Sequence, residues 1–222
     1  MKIMIHTCSK RRWYVYDYMI PSLLAQGIPR EDIFVWLDWT GAGNLISCVD
    51  SFRACGLVPG GTWHLQDDVI ISRRFAELAA AHDDGVVCGF GNEDFGPSMA
   101  ATGEQPTLFM WNSFQCIRIP NDLAFEFAQW FYTDAQYRTH NEYPRFIAEK
   151  KYDDTFWRDF MLERHSDMRV YNLAPNIVDH VDYIIGGSII NIGRRKLEYR
   201  SAFWEDEDLV DDLAAKMANK IR

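Results

Sequence analysis

Apolar and polar positions recur along the chain with two periods, and these separate strands from helices. Lys2 to Thr7 reads as a first strand that ends in the polar, basic turn Cys8-Ser9-Lys10-Arg11-Arg12. Trp13, Tyr16, Ile20, Leu23 and Leu24 then fall at helical spacing, with Gly27 as the residue just past the helix end. Pro21 lies inside that pattern, which predicts a kink or two abutting helices. Ile33 to Leu37 is a strand closed by Asp38, and Gly41-Ala42-Gly43 is a turn. Asn44 caps a helix through Ile46, Val49, Phe52 and Arg53, ended by Gly56. Strand, helix, strand, helix within 56 residues is the pattern of a parallel α/β sheet.

The apolar run Trp63 to Ile71 contains Gln66-Asp67-Asp68, and a helix follows over Ser72 to Ala81. Val86 to Phe90 reads as a strand. Gly91 to Thr107 has no periodicity and reads as one long loop, a lid or binding loop in a compact domain. Phe109 to Ile119 reads as a strand stopped by Pro120, and Asn121 caps a helix with Leu123, Phe127, Trp130 and Phe131 on one face. After a mixed stretch over 137–152, Asp153 or Asp154 caps a helix with Phe156, Trp157, Phe160 and Met161 on one face. Val170 to Leu173 is a strand, followed by Pro175 to Asp182 and a Gly-Gly-Ser turn at 186–188. The chain is expected to fold as one α/β domain over 1–204, with an acidic-headed amphipathic helix over 205–222.

Composition narrows the class. The 222 residues carry 23 Lys and Arg against 32 Asp and Glu, a net charge of −9, which excludes a uniformly basic nucleic-acid coat. Six of the acids and three of the bases lie in 205–222. Neither an 18-residue apolar run nor a signal-peptide pattern occurs, so a cytoplasmic protein with no membrane span is expected. Aromatic residues reach 14%, which fits either an aromatic core or a surface that stacks on sugars or bases. The five cysteines form no C-x-x-C pair, so neither a disulfide nor a zinc site is expected.

The candidate chemistry centres on Asp67 and Asp68. Two acids inside an apolar run need a partner, because an unpaired buried charge is very costly. A divalent cation meets that need at the carboxyl end of a strand, where ligands of open α/β sheets collect. Helix capping is the plainer alternative. His180, in Val178-Asp179-His180-Val181-Asp182, is a candidate second ligand, and Asp153-Asp154 is either a helix cap or a general base.

These residues, in this order, resemble a small nucleotide-sugar glycosyltransferase of the GT-A fold, over about residues 1 to 190. Gln66-Asp67-Asp68 resembles the family's D-x-D element, and Pro175 to Ser188 its late loop with a metal-binding His. The resemblance implies a GT-A-like, Rossmann-like, mostly parallel central sheet flanked by helices. It implies Mn²⁺ or Mg²⁺ on Asp68 and His180. It implies a nucleotide-sugar donor, a UDP-sugar foremost, bound by Thr7, Arg11, Asp38, Asp67 and Arg73. Asp154 or Asp153 is the implied base, with Trp111 and Ser113 on the acceptor side. The first position of the element is Gln66, so Asp68, aided by Asp67, must carry the metal. The acceptor class is open and includes glycans and hydroxymethylated DNA bases. The basic clusters at 10–12, 73–74 and 194–196 are the candidate contacts to a DNA backbone.

A nucleotidyltransferase is disfavoured, because no glycine follows the first strand to cradle a triphosphate. A dinucleotide-dependent dehydrogenase is disfavoured because the G-x-G-x-x-G turn is missing. A non-catalytic sugar-binding or assembly protein with a degenerate site is the remaining alternative.

Overall fold

The computed structural model describes residues 1–39, 44–91, 102–106, 113–135, 153–186 and 200–220. Its strands are β1 (Lys2–Cys8), β2 (Ile33–Asp38), β3 (Gly61–Gln66), β4 (Val69–Ile71), β5 (Val86–Cys88), β6 (Gly103–Pro106), β7 (Cys116–Pro120), β8 (Arg169–Asn172) and β9 (Val178–His180). The first helical stretch, α1, runs as Arg12–Tyr14, a π-helical segment Val15–Met19, and Ile20–Ala25. The others are α2 (Asn44–Cys55), α3 (Phe75–Ala81), α4 (Asn121–Trp130), α5 (Asp153–Arg164) and α6 (Glu207–Lys220).

Seven strands form one sheet in the order β2-β1-β3-β7-β5-β8-β6. β1, β2, β3, β5 and β8 point one way, and β7 and β6 run against them. The sheet is therefore mixed but mostly parallel, with helices on both faces. Strand alternation sends β1 side chains to two cores. Ile3 and Ile5 join Tyr14, Val15, Leu23, Trp63, Leu65 and Phe75 on the α1 and α3 side. Met4 joins Cys48, Val49, Phe52, Phe127 and Trp157 on the α2, α4 and α5 side. The second core holds much of the aromatic excess: Phe52, Phe114, Phe127, Trp130, Trp157 and Phe160 meet edge-on, tilted or stacked with ring centroids 5.1–6.3 Å apart. Leu213 and Met217 of α6 belong to the first core, so the C-terminal helix is an integral part of that layer.

Several expectations change. Trp63 to Ile71 is two strands in two different sheets, with Asp67-Asp68 as the turn between them; β4 pairs antiparallel with β9 in a small second sheet. The 91–107 segment, read as loop throughout, contains the edge strand β6, whose Gly-Glu-Gln-Pro sequence carries no apolar period. Pro21 falls in the first turn of the separate segment Ile20–Ala25, which abuts the π-helical one, as the alternative of two abutting helices expects. The ladder widens to π pitch one turn earlier, where the proline ring would otherwise press on the carbonyl of residue 17. The Gly41–Gly43 turn, Trp111 and the 137–152 stretch lie outside the described residues.

Gly56 ends α2 as expected, but its reason is also tertiary. A Cβ there would lie 2.7 Å from Phe125 Cβ and 3.0 Å from that residue's backbone on α4. Gly56→Ala is expected to destabilise the fold by about 1–3 kcal/mol, as overpacking does. Urea unfolding of the variant checks this. No described helix is long and apolar enough to cross a membrane. None of the five cysteines is in a disulfide.

Candidate functional site

From β1 the chain moves to β2 on one side and then to β3 on the other, so the strand order reverses at β1. In open α/β sheets the crevice at such a reversal, outside the carboxyl ends of the strands, is where ligands bind. Here it lies between the ends of β1 and β3, and five of the expected residues meet there.

Asp67 and Asp68 form the turn that leaves β3. Asp67 Oδ2 accepts from Thr7 Oγ1 at 2.7 Å and from the Cys8 backbone N–H at 3.2 Å, which ties the two strand ends together. Arg11, on the turn after β1, donates through Nη1 to Asp67 Oδ1 at 3.0 Å and to Asp68 Oδ2 at 2.8 Å. The small sheet supplies the last member. Val69 of β4 is in register with His180 of β9, and the Val181 N–H donates to the Asp68 carbonyl at 2.8 Å. That register sets His180 Nε2 3.4 Å from Asp68 Oδ2, while His180 Nδ1 lies 3.5 Å from Asp182 Oδ1. β9 is held from behind: buried Asp179 accepts from Arg200 and from the Ser201 N–H, and Asn176 bonds Ser201 and Phe203.

All of these groups are largely buried, so their charges are mutually dependent. Burial alone would raise the Asp68 carboxyl, but His180 and Arg11 more than offset it and hold it well below the ordinary carboxylate range. Burial would lower His180, but Asp68 and Asp182 more than offset it and raise the imidazole. Burial dominates at Asp67 and raises it despite Arg11. Tyr14, beneath the turn, donates its hydroxyl to the Val69 carbonyl at 3.0 Å, and burial raises its phenol.

Arg11 is therefore a partner that the acid pair has within the chain itself, a long-range contact with no local signature in the sequence. It does not saturate the site. Asp68 Oδ1 is buried with no hydrogen-bond partner among the described residues. An orphaned carboxylate oxygen beside an imidazole is a donor set that Mn²⁺ or Mg²⁺ accepts. The residues present thus fit the divalent cation that the resemblance implies, with Asp68 and His180 to hold it.

The other expected residues fall in four places. Asp38 ends β2 in register with Cys8, so it shares the crevice edge. Arg73 does not join the cluster; its guanidinium is engaged by Asp208 at 2.8 and 2.5 Å and by Asp206 at 3.3 Å, where it clamps the head of α6. Arg73 was expected on the donor side, and the structure sets it apart from the five residues that meet at the crevice. Arg74 is likewise paired, with Glu77 and Glu205. Asp153 and Asp154 open α5, and Asp154 is half-buried; α5 belongs to the α2–α4 layer through Phe156, Trp157 and Phe160. Ser113 opens the short 3₁₀ turn Ser113–Gln115, and Trp111 lies outside the described residues.

Sequence reasoning missed an exposed platform beside the crevice. Trp39, directly after Asp38, is 74% exposed, and Tyr16 is 44% exposed. The Arg12 guanidinium lies 5.4 Å from the Tyr16 ring centroid and 5.9 Å from that of Trp39. An apolar face with a fixed cation suits a planar, electron-rich ligand. A tryptophan just past a strand's carboxyl end was the available signal.

No protein-family model and no curated protein matches this sequence. Among solved structures, the chain is similar to A197 from STIV, with a TM-score of 0.40 and 11% identity, over 81% of this chain and 85% of that one.

Proposed function

We propose that the protein is a metal-dependent glycosyltransferase that moves a sugar from a nucleotide-sugar donor to an acceptor hydroxyl. The observation that carries this reading is the Asp68–His180 pair. Two strands of a separate small sheet bring it to the crevice between β1 and β3, and it includes a buried carboxylate oxygen with no hydrogen-bond partner among the described residues. A divalent cation bound there supplies Lewis-acid stabilisation of a departing diphosphate.

The chain's own groups complete the scheme. Thr7 and the Cys8 N–H orient Asp67, which is the proposed acceptor for a ribose hydroxyl. Arg11 supplies a fixed positive charge at the diphosphate position, and the Trp39–Arg12–Tyr16 platform receives the base. Asp154 is the proposed base that takes the proton of the attacking acceptor hydroxyl. A UDP-sugar is the proposed donor, and a glycan or other exposed hydroxyl is the proposed acceptor.

Water substitutes for an unidentified acceptor in a first assay. With Mn²⁺ and donor, the protein is expected to release nucleoside diphosphate slowly. Asp68→Asn is expected to weaken metal-dependent donor binding by about 10-fold or more, in line with losses at metal sites. Asp154→Ala is expected to keep donor binding and to lower release about 10²-fold, the size of a general-base contribution. Loss of donor binding in that variant would move Asp154 to the donor side.

One observation favours a second reading. Arg11 bridges both acids directly, which is what a degenerate, purely structural site would also contain. A protein of that kind would release no nucleoside diphosphate under any metal condition.

A further inference from the structure

On the opposite face of the same two central strands lies a second cluster, outside the site described above. Met4 is in register with His64, and His6 stands two residues further along β1, so both histidines face the α2 layer. Their ring centroids are 6.0 Å apart. α2 lies over them and presents Ser47, Cys48 and Ser51. Ser47 Oγ is 2.9 Å from His6 Nε2, and Ser51 Oγ is 2.8 Å from His64 Nε2. His6, Cys48 and His64 are all buried, and each offers a ligand atom within 4.8 Å of the other two.

The hydrogen bonds fix the state of His64. Ser51 has one hydroxyl proton and donates it to the Cys48 carbonyl at 2.6 Å. It must therefore accept from His64, so the proton sits on His64 Nε2 and Nδ1 keeps its lone pair. That Nδ1 is buried with no hydrogen-bond partner among the described residues. An acceptor left bare in an apolar layer is destabilising unless something fills it. A ring nitrogen with a free lone pair, whose opposite N–H is held by a hydroxyl, is the form in which histidine binds metal. Burial also keeps both rings neutral, with His6 lowered to about 4 and His64 lowered well below its ordinary value.

We propose that His6, Cys48 and His64 bind one zinc ion, which pins α2 to β1 and β3 behind the crevice. Two imidazoles and a thiolate form a borderline-soft set that zinc favours over magnesium or manganese. Tetrahedral zinc sets such donors about 3.3–3.6 Å apart, inside the 4.8 Å within which these three already lie. Water or a serine hydroxyl completes the fourth position, and the Cys48 thiol proton leaves to solvent on binding. The layer is sealed, so the ion is taken up as the chain folds. The proposal is independent of the glycosyltransferase reading.

The test is to unfold the full chain with a chelator, refold it with Co²⁺ or Zn²⁺, and remove unbound metal. One equivalent of cobalt with a thiolate-to-cobalt charge-transfer band is expected, as is one equivalent of zinc by elemental analysis. Cobalt at Asp68 and His180 has no thiolate and gives no such band. Cys48→Ser is expected to abolish the band, and Cys8→Ser to keep it. Absence of the band and of retained zinc in the wild-type chain overturns the proposal, whatever the variants do. So does a band that survives Cys48→Ser or disappears in Cys8→Ser.

Discussion

Arg11→Ala is expected to destabilise the fold by about 3–5 kcal/mol, the cost of removing one partner from a buried ion pair. Arg11 is 5% exposed and touches both carboxylates of the turn, so its loss leaves Asp67 and Asp68 facing each other with His180 as the remaining close cation. The penalty comes from the charges left behind. Arg11→Ala combined with Asp67→Asn and Asp68→Asn is therefore expected to recover more than half of the loss. The same logic makes the single variant a reporter for metal. Mn²⁺ is expected to raise the urea midpoint of Arg11→Ala more than that of the wild type, because the cation then replaces the missing guanidinium. Equal shifts in the two proteins would mean that the acids are not a cation site.

Acidification from pH 6.5 to 4 is expected to remove about 3 kcal/mol of stability through His6 alone, with a further loss through His64. The unfolded chain binds a proton at each histidine near pH 6.5, while the folded chain does not accept one at His6 until about pH 4. The unfolded state thus holds more protons across that window, and stability falls as pH falls, by about 1.4 kcal/mol per unit for each group. His64, with its value lowered further by burial and by His6, acts in the same direction. His180 has the opposite shift. Its contribution is fully present below pH 6.5 and is lost only as pH rises through its raised folded value, so it is constant in this window. Asp67 and Asp179 are raised by burial and gain stability on acidification, so the wild-type curve alone mixes signs. The gap between wild type and His6→Gln isolates the effect. Glutamine retains a bond to Ser47 without titrating, so the gap should change by about 3 kcal/mol between pH 6.5 and 4 in urea unfolding with chelator present.

Much of the frame was legible in the sequence. The apolar run within Lys2 to Thr7, the strand closed by Asp38, and the helical faces of α4 and α5 each place apolar side chains where the cores need them. The candidate site was legible in part. Asp68 stood out as an acid inside an apolar run and His180 as a late histidine that could join it, and the β4–β9 register brings them together. What escaped was tertiary. Arg11 sits 56 residues from Asp67 in the chain, and nothing local distinguishes it from Arg12 or Arg73. The small sheet hid inside an apolar run because a two-residue acidic turn does not interrupt hydrophobicity the way glycine or proline does. His6 and His64 sit at inward positions of strands buried on both faces, where the period-2 signal carries no information about polarity. The partners of Arg73 were not legible because α6, which supplies them, lies more than 130 residues downstream.

The central claim is metal-dependent recognition of a nucleotide sugar at the crevice between β1 and β3. Calorimetric titration of the wild-type protein with a panel of nucleotide sugars, in Mn²⁺ and then in chelator, tests it most directly. The account predicts that a UDP-sugar binds in Mn²⁺, that chelation weakens the binding at least about 10-fold, and that Asp68→Ala behaves in Mn²⁺ as the wild type does in chelator. No donor bound in either condition, or binding indifferent to both metal and Asp68, would contradict it.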